Sequence, residues 1–564
     1  MSTLTEREQK AYLETLKTSQ DLILSLHLQH LPTNPQSSRV ALTTILRRKG
    51  QILDTLSNRL QRLRADASPA DRQKLEQLSQ LYTQLTNLYN KGLGNLTPEA
   101  YRQQVQTLES QIEQLQKQLA QDLPELSPQP VTLEAIQALI PQDAVLIEFF
   151  RYQPFNPKAK PGERYGESRY AAYVLRPGNG DPVGIDLGEA AAIDQRLGFF
   201  RQNLTDPTST NQLSQSSKIV YQAVFQPLTP YLGNATHLLI SPDSHLNLIP
   251  FAALQNPQGQ YLLEGYEITA LSSGRDLVRY QTHYATQEPP VIIAHPNYNG
   301  SSDPQAAQLI AQGNRGITQV SAITNSTPAA LPSSSVEQIR SVGVPFPWSD
   351  LPGTEREGSL IAPKLARVVV LKGNQATEGA IKVLRSPAVL HLATHGFFLP
   401  GGGEDQNPLV RSGLILTGAN LQDSRQNNGE DGVLTALEVS GLDLRGTSLV
   451  VMSACDTGKG DVSNGEGVYG LRRAFTLAGA ESQLFSLWSV NDWATQALLT
   501  RYYDYVLAGR GRSDAWRQTQ LDMLRGNLEI DPQGVQSITD TAHPNYWAAF
   551  VPSGNWEPLE PLEH

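Results

Sequence analysis

A chain of 564 residues, 39% of them hydrophobic, is long enough for about three to five domains or lobes and a sizeable core. Its 45 Lys and Arg against 55 Asp and Glu leave a net charge of −10, opposite in sign to the basic footprint of a general nucleic-acid binder. The single cysteine, Cys455, excludes an internal disulfide and a cysteine-rich zinc site and points to a reducing, cytoplasmic compartment, and no apolar run of about 18 residues is present to cross a membrane.

The N-terminus carries no apolar signal-peptide core. Residues 1–127 read as a helical region. Leu53, Leu56, Leu60 and Leu63 recur at three- and four-residue steps, as do Leu75, Leu78, Tyr82, Leu85 and Tyr89, and again Val105, Leu108, Ile112, Leu115 and Leu119. Each set draws one apolar stripe along a helix. Ser68-Pro69 and Thr97-Pro98-Glu99 are helix starts with Pro at the first helical position. The stripes are too short for a dimerising coiled coil, so a bundle packed on its neighbour is expected.

Pro128 and Pro130 mark a linker, and from residue 131 the periodicity changes. Val145–Phe150, Arg169–Leu175, His237–Ser241 and Val291–His295 are short β-rich runs, with helical stretches at Ala190–Asn203 and Ser217–Thr229. The alternation predicts an α/β fold of mostly parallel strands flanked by helices. Asn299–Val344 and Gly401–Asn428 read as long loops. Strands are expected at Val368–Leu371, Val389–Thr394, Leu449–Ala454 and Gln483–Trp488, and helices at Gly467–Ala478, Ala494–Leu507 and Ser513–Arg525. Residues 562–564, Leu-Glu-His, read as the remnant of an expression tag, and Met1 is open to a similar reading, with natural chain upstream of it.

Two of these strands end in chemistry. Val389–Thr394 runs into His395-Gly396, and Leu449–Ala454 into Cys455. Open α/β sheets build their sites outside the carboxyl ends of strands. A thiol is mostly protonated at neutral pH, and a nearby imidazole can take its proton. The thiolate then attacks a carbonyl, and the histidine protonates the leaving amine. The backbone N–H groups of Gly396 and Cys455 are the candidate donors to the tetrahedral oxyanion, with glycine at 396 letting substrate approach closely. An inert buried thiol would not be followed by a polar, glycine-rich run such as Asp456–Gly467.

Other chemistries fit less well. His391 and His395 are four apart, but Leu392 stands where a zinc peptidase needs Glu and no third ligand is signalled. No metal is expected, and His391 reads as a buried, hydrogen-bonded neighbour. Around Gly458-Lys459-Gly460, Ser453 and Gly460 stand where a phosphate loop needs Gly and Ser or Thr. Ser453–Thr457 lacks both glycines of a hydrolase nucleophile elbow.

His391–Phe398 (HLATHGFF), Ser453–Gly460 (SACDTGKG), Gly465–Phe475 (GEGVYGLRRAF), Ser486–Asp492 (SLWSVND) and Pro544–Asn555 (PNYWAAFVPSGN) resemble, in order, the motifs of the CHAT domain. That is a caspase-like, separase-related peptidase domain common in bacteria and often fused to TPR repeats. The resemblance implies His395 and Cys455 as a dyad, Gly396 in the oxyanion hole, a non-catalytic caspase-like half at 131–290 and a catalytic half at 291–561. It likens the helical region to the stretch linking TPR repeats to the peptidase, although no 34-residue repeat array is visible here. Separase-like enzymes receive a basic P1 side chain on an acid after the strand beyond the cysteine, a place matched by Asp492. The alternative for Asp492 is a helix N-cap. Ser453, Asp456 and Trp488 join the expected pocket. Asp456 is the rival acid, and Ser453 lacks the charge that some caspase relatives carry two residues before the cysteine. Asp461 and Glu466 would shape the loop over the site. The resulting expectation is a cofactor-free cysteine endopeptidase, cutting a specific protein after a basic residue through a thioester, with Arg315 and Arg340 in the Asn299–Val344 loop as candidate self-cleavage points. A regulatory protein would bind the helical or upstream region, with no role for nucleic acid or membrane. The rival is a catalytically silent scaffold of the same fold.

Overall fold

The computed structural model describes residues 6–121, 131–160, 162–313, 347–401, 407–421, 430–455, 457–463, 465, 467–530 and 540–561. The helical region consists of α1 (Glu6–Ser25), extended by a π-turn at Leu26–His30, then α2 (Pro35–Arg48), α3 (Gln51–Ala65), α4 (Pro69–Lys91) and α5 (Pro98–Gln121). Ser68 starts α4 with a reciprocal capping box to Asp71, and Pro69 supplies the first turn. The apolar stripes turn inward: Leu78, Tyr82, Leu85, Tyr89, Ile112, Leu115 and Leu119 join the main core of the molecule. Behind α2, Lys49 is buried, and its Nζ donates to Glu148 Oε2 at 2.9 Å, to the carbonyls of Phe149 and Ser241 at 2.9 Å each, and to Ser241 Oγ at 2.6 Å.

The strands are β1 (Ala144–Tyr152), β2 (Arg169–Leu175), β3 (Val183–Glu189), β4 (His237–Ser241), β5 (Glu267–Ala270), β6 (Val291–Pro296), β7 (Val369–Gly373) and β8 (Val389–Ala393). They continue as β9 (Gly396–Phe398), β10 (Ser412–Ile415), β11 (Val433–Thr435), β12 (Leu449–Ser453), β13 (Asp461–Ser463), β14 (Gly467–Tyr469), β15 (Ser482–Ser486) and β16 (Phe550–Gly554). Eleven form one sheet in the order β3-β2-β1-β4-β5-β16-β15-β12-β8-β6-β7. It is parallel except at β1–β2, β2–β3 and β15–β16. The antiparallel β15–β16 pair makes the wing carrying β8 and β12 run opposite to the wing carrying β1, β4 and β5. Every residue of β8 and β12 is buried, as expected of unbroken apolar runs covered on both faces.

The structure corrects three expectations about elements. The Gly401–Asn428 stretch is not all loop. Pro408–Arg411 forms a 3₁₀ turn, and β10 is the middle strand of a small sheet with β11 and β9. Four strand residues among Gly and Asn are too few to show a period. The helix expected from Gly467 begins at Leu471, because Gly467–Tyr469 pairs with β13 instead. Asn299–Val344 holds a helix at Ala306–Gly313, while Arg315 and Arg340 lie outside the described residues. Among the described residues, no helix is long and apolar enough to cross a membrane, and no group of three or more His, Cys, Asp or Glu is placed to hold a metal ion.

Candidate active site

The parallel pairing of β8 and β12 sets the site. Leu449 lies opposite Val389 and Ser453 opposite Ala393. Each chain then runs two residues beyond its strand, to His395 and to Cys455, so the two residues leave the same edge of the sheet at matched positions. Their loops are in direct contact. A Cβ on Gly396 would lie 2.4 Å from the Cys455 carbonyl oxygen, 3.2 Å from Thr457 Cγ2 and 3.3 Å from Ala454 Cβ. Glycine at 396 is therefore needed by the cysteine loop's own backbone. Leu399 and Ile415 donate to the Arg411 and His395 carbonyls. The antiparallel alternation then makes Gly396 and Leu414 a non-hydrogen-bonded pair, with the Gly396 N–H turned away from β10.

His395 is half-buried between two rings, with Tyr298 at 5.3 Å and Trp348 at 5.0 Å between centroids. Its Nε2 lies 2.8 Å from the Ser349 carbonyl oxygen. A carbonyl only accepts, so Nε2 carries the proton and Nδ1 of the neutral ring keeps its lone pair. Burial pushes the imidazole below its usual 6.5, against smaller upward effects of the Ser349 carbonyl and the Asp350 charge. Cys455 is half-buried too, its Sγ 3.1 Å from the exposed Ser489 Oγ. The loop after it is laced to the end of β15. Gly458 N–H donates to the Ser486 carbonyl at 2.7 Å, and Ser486 N–H to Thr457 Oγ1 at 2.9 Å. Gly458 has no room for a side chain, since a Cβ there would meet Phe485 Cδ2 at 2.3 Å.

Behind the pair runs a buried polar chain. Ser453 Oγ donates to Glu357 Oε2 at 2.9 Å, Glu357 Oε1 meets His391 Nε2 at 2.7 Å, and His391 Nδ1 meets the Tyr503 hydroxyl at 3.2 Å. His391 is thus the buried, hydrogen-bonded neighbour that its sequence position suggested. Glu357 comes from the helix Pro352–Ile361. One turn earlier on that helix, Gly353 makes room for Asp492, where a Cβ would sit 2.7 Å from Asp492 Cβ. Asp492 does not cap its helix. It is the first residue of Asp492–Leu507, and the cap is Asn491, which accepts from the Trp493 and Ala494 N–H groups. Burial first, and the Glu357 charge second, raise the Asp492 carboxyl above its usual value. Trp488 is buried, its indole N–H donating to the Asn545 carbonyl at 3.2 Å. Asp461 pairs with Arg411. Asp456 and Glu466 lie outside the described residues.

Sequence reasoning missed Tyr298, Trp348, Ser349, Asp350 and Glu357. The available signal was the Leu351-Pro352-Gly353 helix start with two acids in the next turns, which follows the Gly- and Ser-rich stretch directly.

A model of the CHAT domain matches residues 215–555, more than half of the chain. Tetratricopeptide repeat protein 28 of Homo sapiens is 26% identical over 345 residues, and its Mus musculus counterpart 24% over 346. Each alignment takes in 57% of this chain and 12% of the relative, so the chain spans about an eighth of those proteins. Among solved structures, the Arg-specific cysteine proteinase gingipain R is 11% identical with a TM-score of 0.33, over 65% of this chain and 74% of that one. Separase in the Saccharomyces cerevisiae separase–securin complex is 11% identical with a TM-score of 0.38, over 92% of this chain and 38% of that one. The chain belongs to the CHAT domain family.

Proposed function

We propose that this CHAT domain protein is a cysteine endopeptidase with Cys455 as nucleophile and His395 as general base, acting in a reducing, cytoplasmic setting. The observation that carries the reading is the contact between the two strand ends. The Cys455 carbonyl occupies the space a side chain at Gly396 would fill, beside a histidine whose Nε2 is already bonded and whose Nδ1 is left to accept.

The chemistry follows from those atoms. Nδ1 takes the Sγ proton, and the thiolate attacks the scissile carbonyl. The Gly396 and Cys455 N–H groups receive the oxyanion. The imidazolium returns its proton to the leaving amine, which departs and leaves a thioester on Sγ. Water then attacks the thioester with its proton going to Nδ1, the acid product leaves, and the thiol is restored. A His395 held below 6.5 stays neutral, and so basic, at physiological pH.

A basic P1 side chain is the reading for Asp492. Its carboxyl is half-buried with Glu357 close by, so an entering guanidinium or ammonium meets an acid whose ionisation it favours. Ser453, Asp456 and Trp488 are the further pocket residues of this reading. Its substrate is a protein. Kinship with tetratricopeptide repeat proteins supports a regulatory protein partner, with self-cleavage at Arg315 or Arg340 a further part of the proposal. The test is cleavage by purified protein. Cys455→Ala and His395→Ala should each abolish it with the fold intact, and full activity in Cys455→Ala would end the proposal. A Cys455 thiol that reacts with an Arg-directed electrophile no faster than free cysteine would favour the silent scaffold instead.

A further inference from the structure

Trp348, Ser349 and Asp350 form a short strap against His395. Trp348 lays its ring 5.0 Å from the imidazole, and Ser349 offers the carbonyl that accepts from Nε2 at 2.8 Å. The strap is fixed at both ends. At the first, Trp348 N–H donates to Asn420 Oδ1 at 2.7 Å, and Asn420 Nδ2 donates back to the Trp348 carbonyl at 2.9 Å. The Trp348 ring packs on a small core of Tyr298, Phe397, Ile415, Ala419 and Val433. At the second, the Asp350 carboxylate meets His295 Nε2 at 2.6 Å and also accepts from Leu351 N–H at 3.0 Å.

His295 is built to reach Asp350. It is a non-glycine residue at φ +49°, and the pairing of β6 with β7 slips between Ala294 and Pro296. An irregularity of this kind re-aims a side chain at a strand end. Side chains are held at positive φ only where the surroundings over-determine them, and such residues cluster at functional sites. The other charged group facing His295 is Glu355, whose Oε2 is 3.8 Å from Nδ1. Lys372 reaches the Glu355 carbonyl at 3.3 Å and Ser359 Oγ at 2.6 Å.

We infer that His295 and Asp350 are positioning residues for His395, pinning the strap so that the Ser349 carbonyl fixes the proton on Nε2 and leaves Nδ1 for the thiol. This rests on the reading of His395 as the base. In a Ser-His-Asp triad a carboxylate bonds the imidazole directly. Here a backbone carbonyl makes that bond, and the carboxylate that anchors it stands one residue further on. Asp350 also contributes charge, favouring the imidazolium formed during turnover.

The experiment uses the full chain and exploits its single cysteine, because alkylation by iodoacetamide then reports on Cys455 alone. Alkylation rates at pH 7, with kcat and KM on a cleaved peptide, are compared for wild type, Asp350→Ala, Asp350→Asn and His295→Gly. Glycine tolerates the positive φ, so the last variant removes the clamp without adding strain. Asp350→Ala and His295→Gly should each lower kcat about 10- to 100-fold, by analogy with the outer partners that orient a metal-bound histidine, with KM within about twofold. Alkylation should slow in parallel. Asp350→Asn keeps the acceptor oxygen and should recover part of the loss. Wild-type kcat and alkylation in Asp350→Ala, or a loss confined to its thermal midpoint, would overturn the inference while leaving the dyad standing. A wild-type thiol no faster than free cysteine would overturn the dyad and this inference together.

Discussion

Gly396→Ala is the sharpest perturbation of the candidate site, because it adds one methyl group where the His395 and Cys455 loops meet. That methyl carbon would lie 2.4 Å from the Cys455 carbonyl oxygen, whereas real Cβ atoms essentially never come within 3.0 Å of a neighbour. The obstacle is backbone, with Thr457 Cγ2 at 3.2 Å and Ala454 Cβ at 3.3 Å closing the alternative directions. The cysteine loop must retreat by at least about 0.6 Å relative to the histidine loop. A misplacement of about 1 Å can cost on the order of 100-fold in rate, so kcat should fall roughly 10- to 100-fold. Overpacking of this kind costs about 1–3 kcal/mol of stability, too little to unfold a chain of this size. The assay is kcat and KM on a cleaved peptide beside urea denaturation, with unchanged secondary structure by circular dichroism. Wild-type kcat in the Gly396→Ala variant would refute the idea that this contact sets the dyad geometry.

Further outcomes are expected elsewhere. Lys49→Ala leaves Glu148 buried without its cation and should cost about 3–5 kcal/mol by urea titration, whereas a change below about 1 kcal/mol would show that the pair is not the tie between α2 and the sheet. Asp492→Asn should abolish preference for Arg or Lys at P1 while iodoacetamide still labels Cys455 at the wild-type rate, and an unchanged preference would move the pocket elsewhere. The acid limb of kcat/KM should lie below pH 6.5, because burial lowers the His395 pKa and the neutral base is lost only when the pH falls through that lowered value. A limb above 6.5 would mean that the Ser349 carbonyl and the Asp350 charge together outweigh burial.

What could be read from the chain follows from how far each feature reaches in sequence. Val389–Ala393 and Leu449–Ser453 declare themselves as unbroken apolar runs, and each stops two residues short of a His or Cys, so His395 and Cys455 stood out as candidates. Their mutual position was not, because it depends on β8 and β12 being neighbours in register. The strap was invisible for a related reason. Ser349 stands 46 residues before His395, and nothing in the local pattern of Trp348–Asp350 marks it as a partner. Glu357, 96 residues before Ser453, is an acid in an ordinary helix turn until the fold buries it. Asn491 and Asp492 are both good caps, so only the observed start of the helix gives the role to Asn491.

The central claim is that Cys455 performs peptide-bond cleavage with a preference for a basic residue. Mass-spectrometric profiling of a diverse peptide library, with wild type and Cys455→Ala side by side, tests it most directly. Cuts after Arg or Lys in the wild type that vanish in Cys455→Ala are the expected result, and cuts that persist in Cys455→Ala would contradict it.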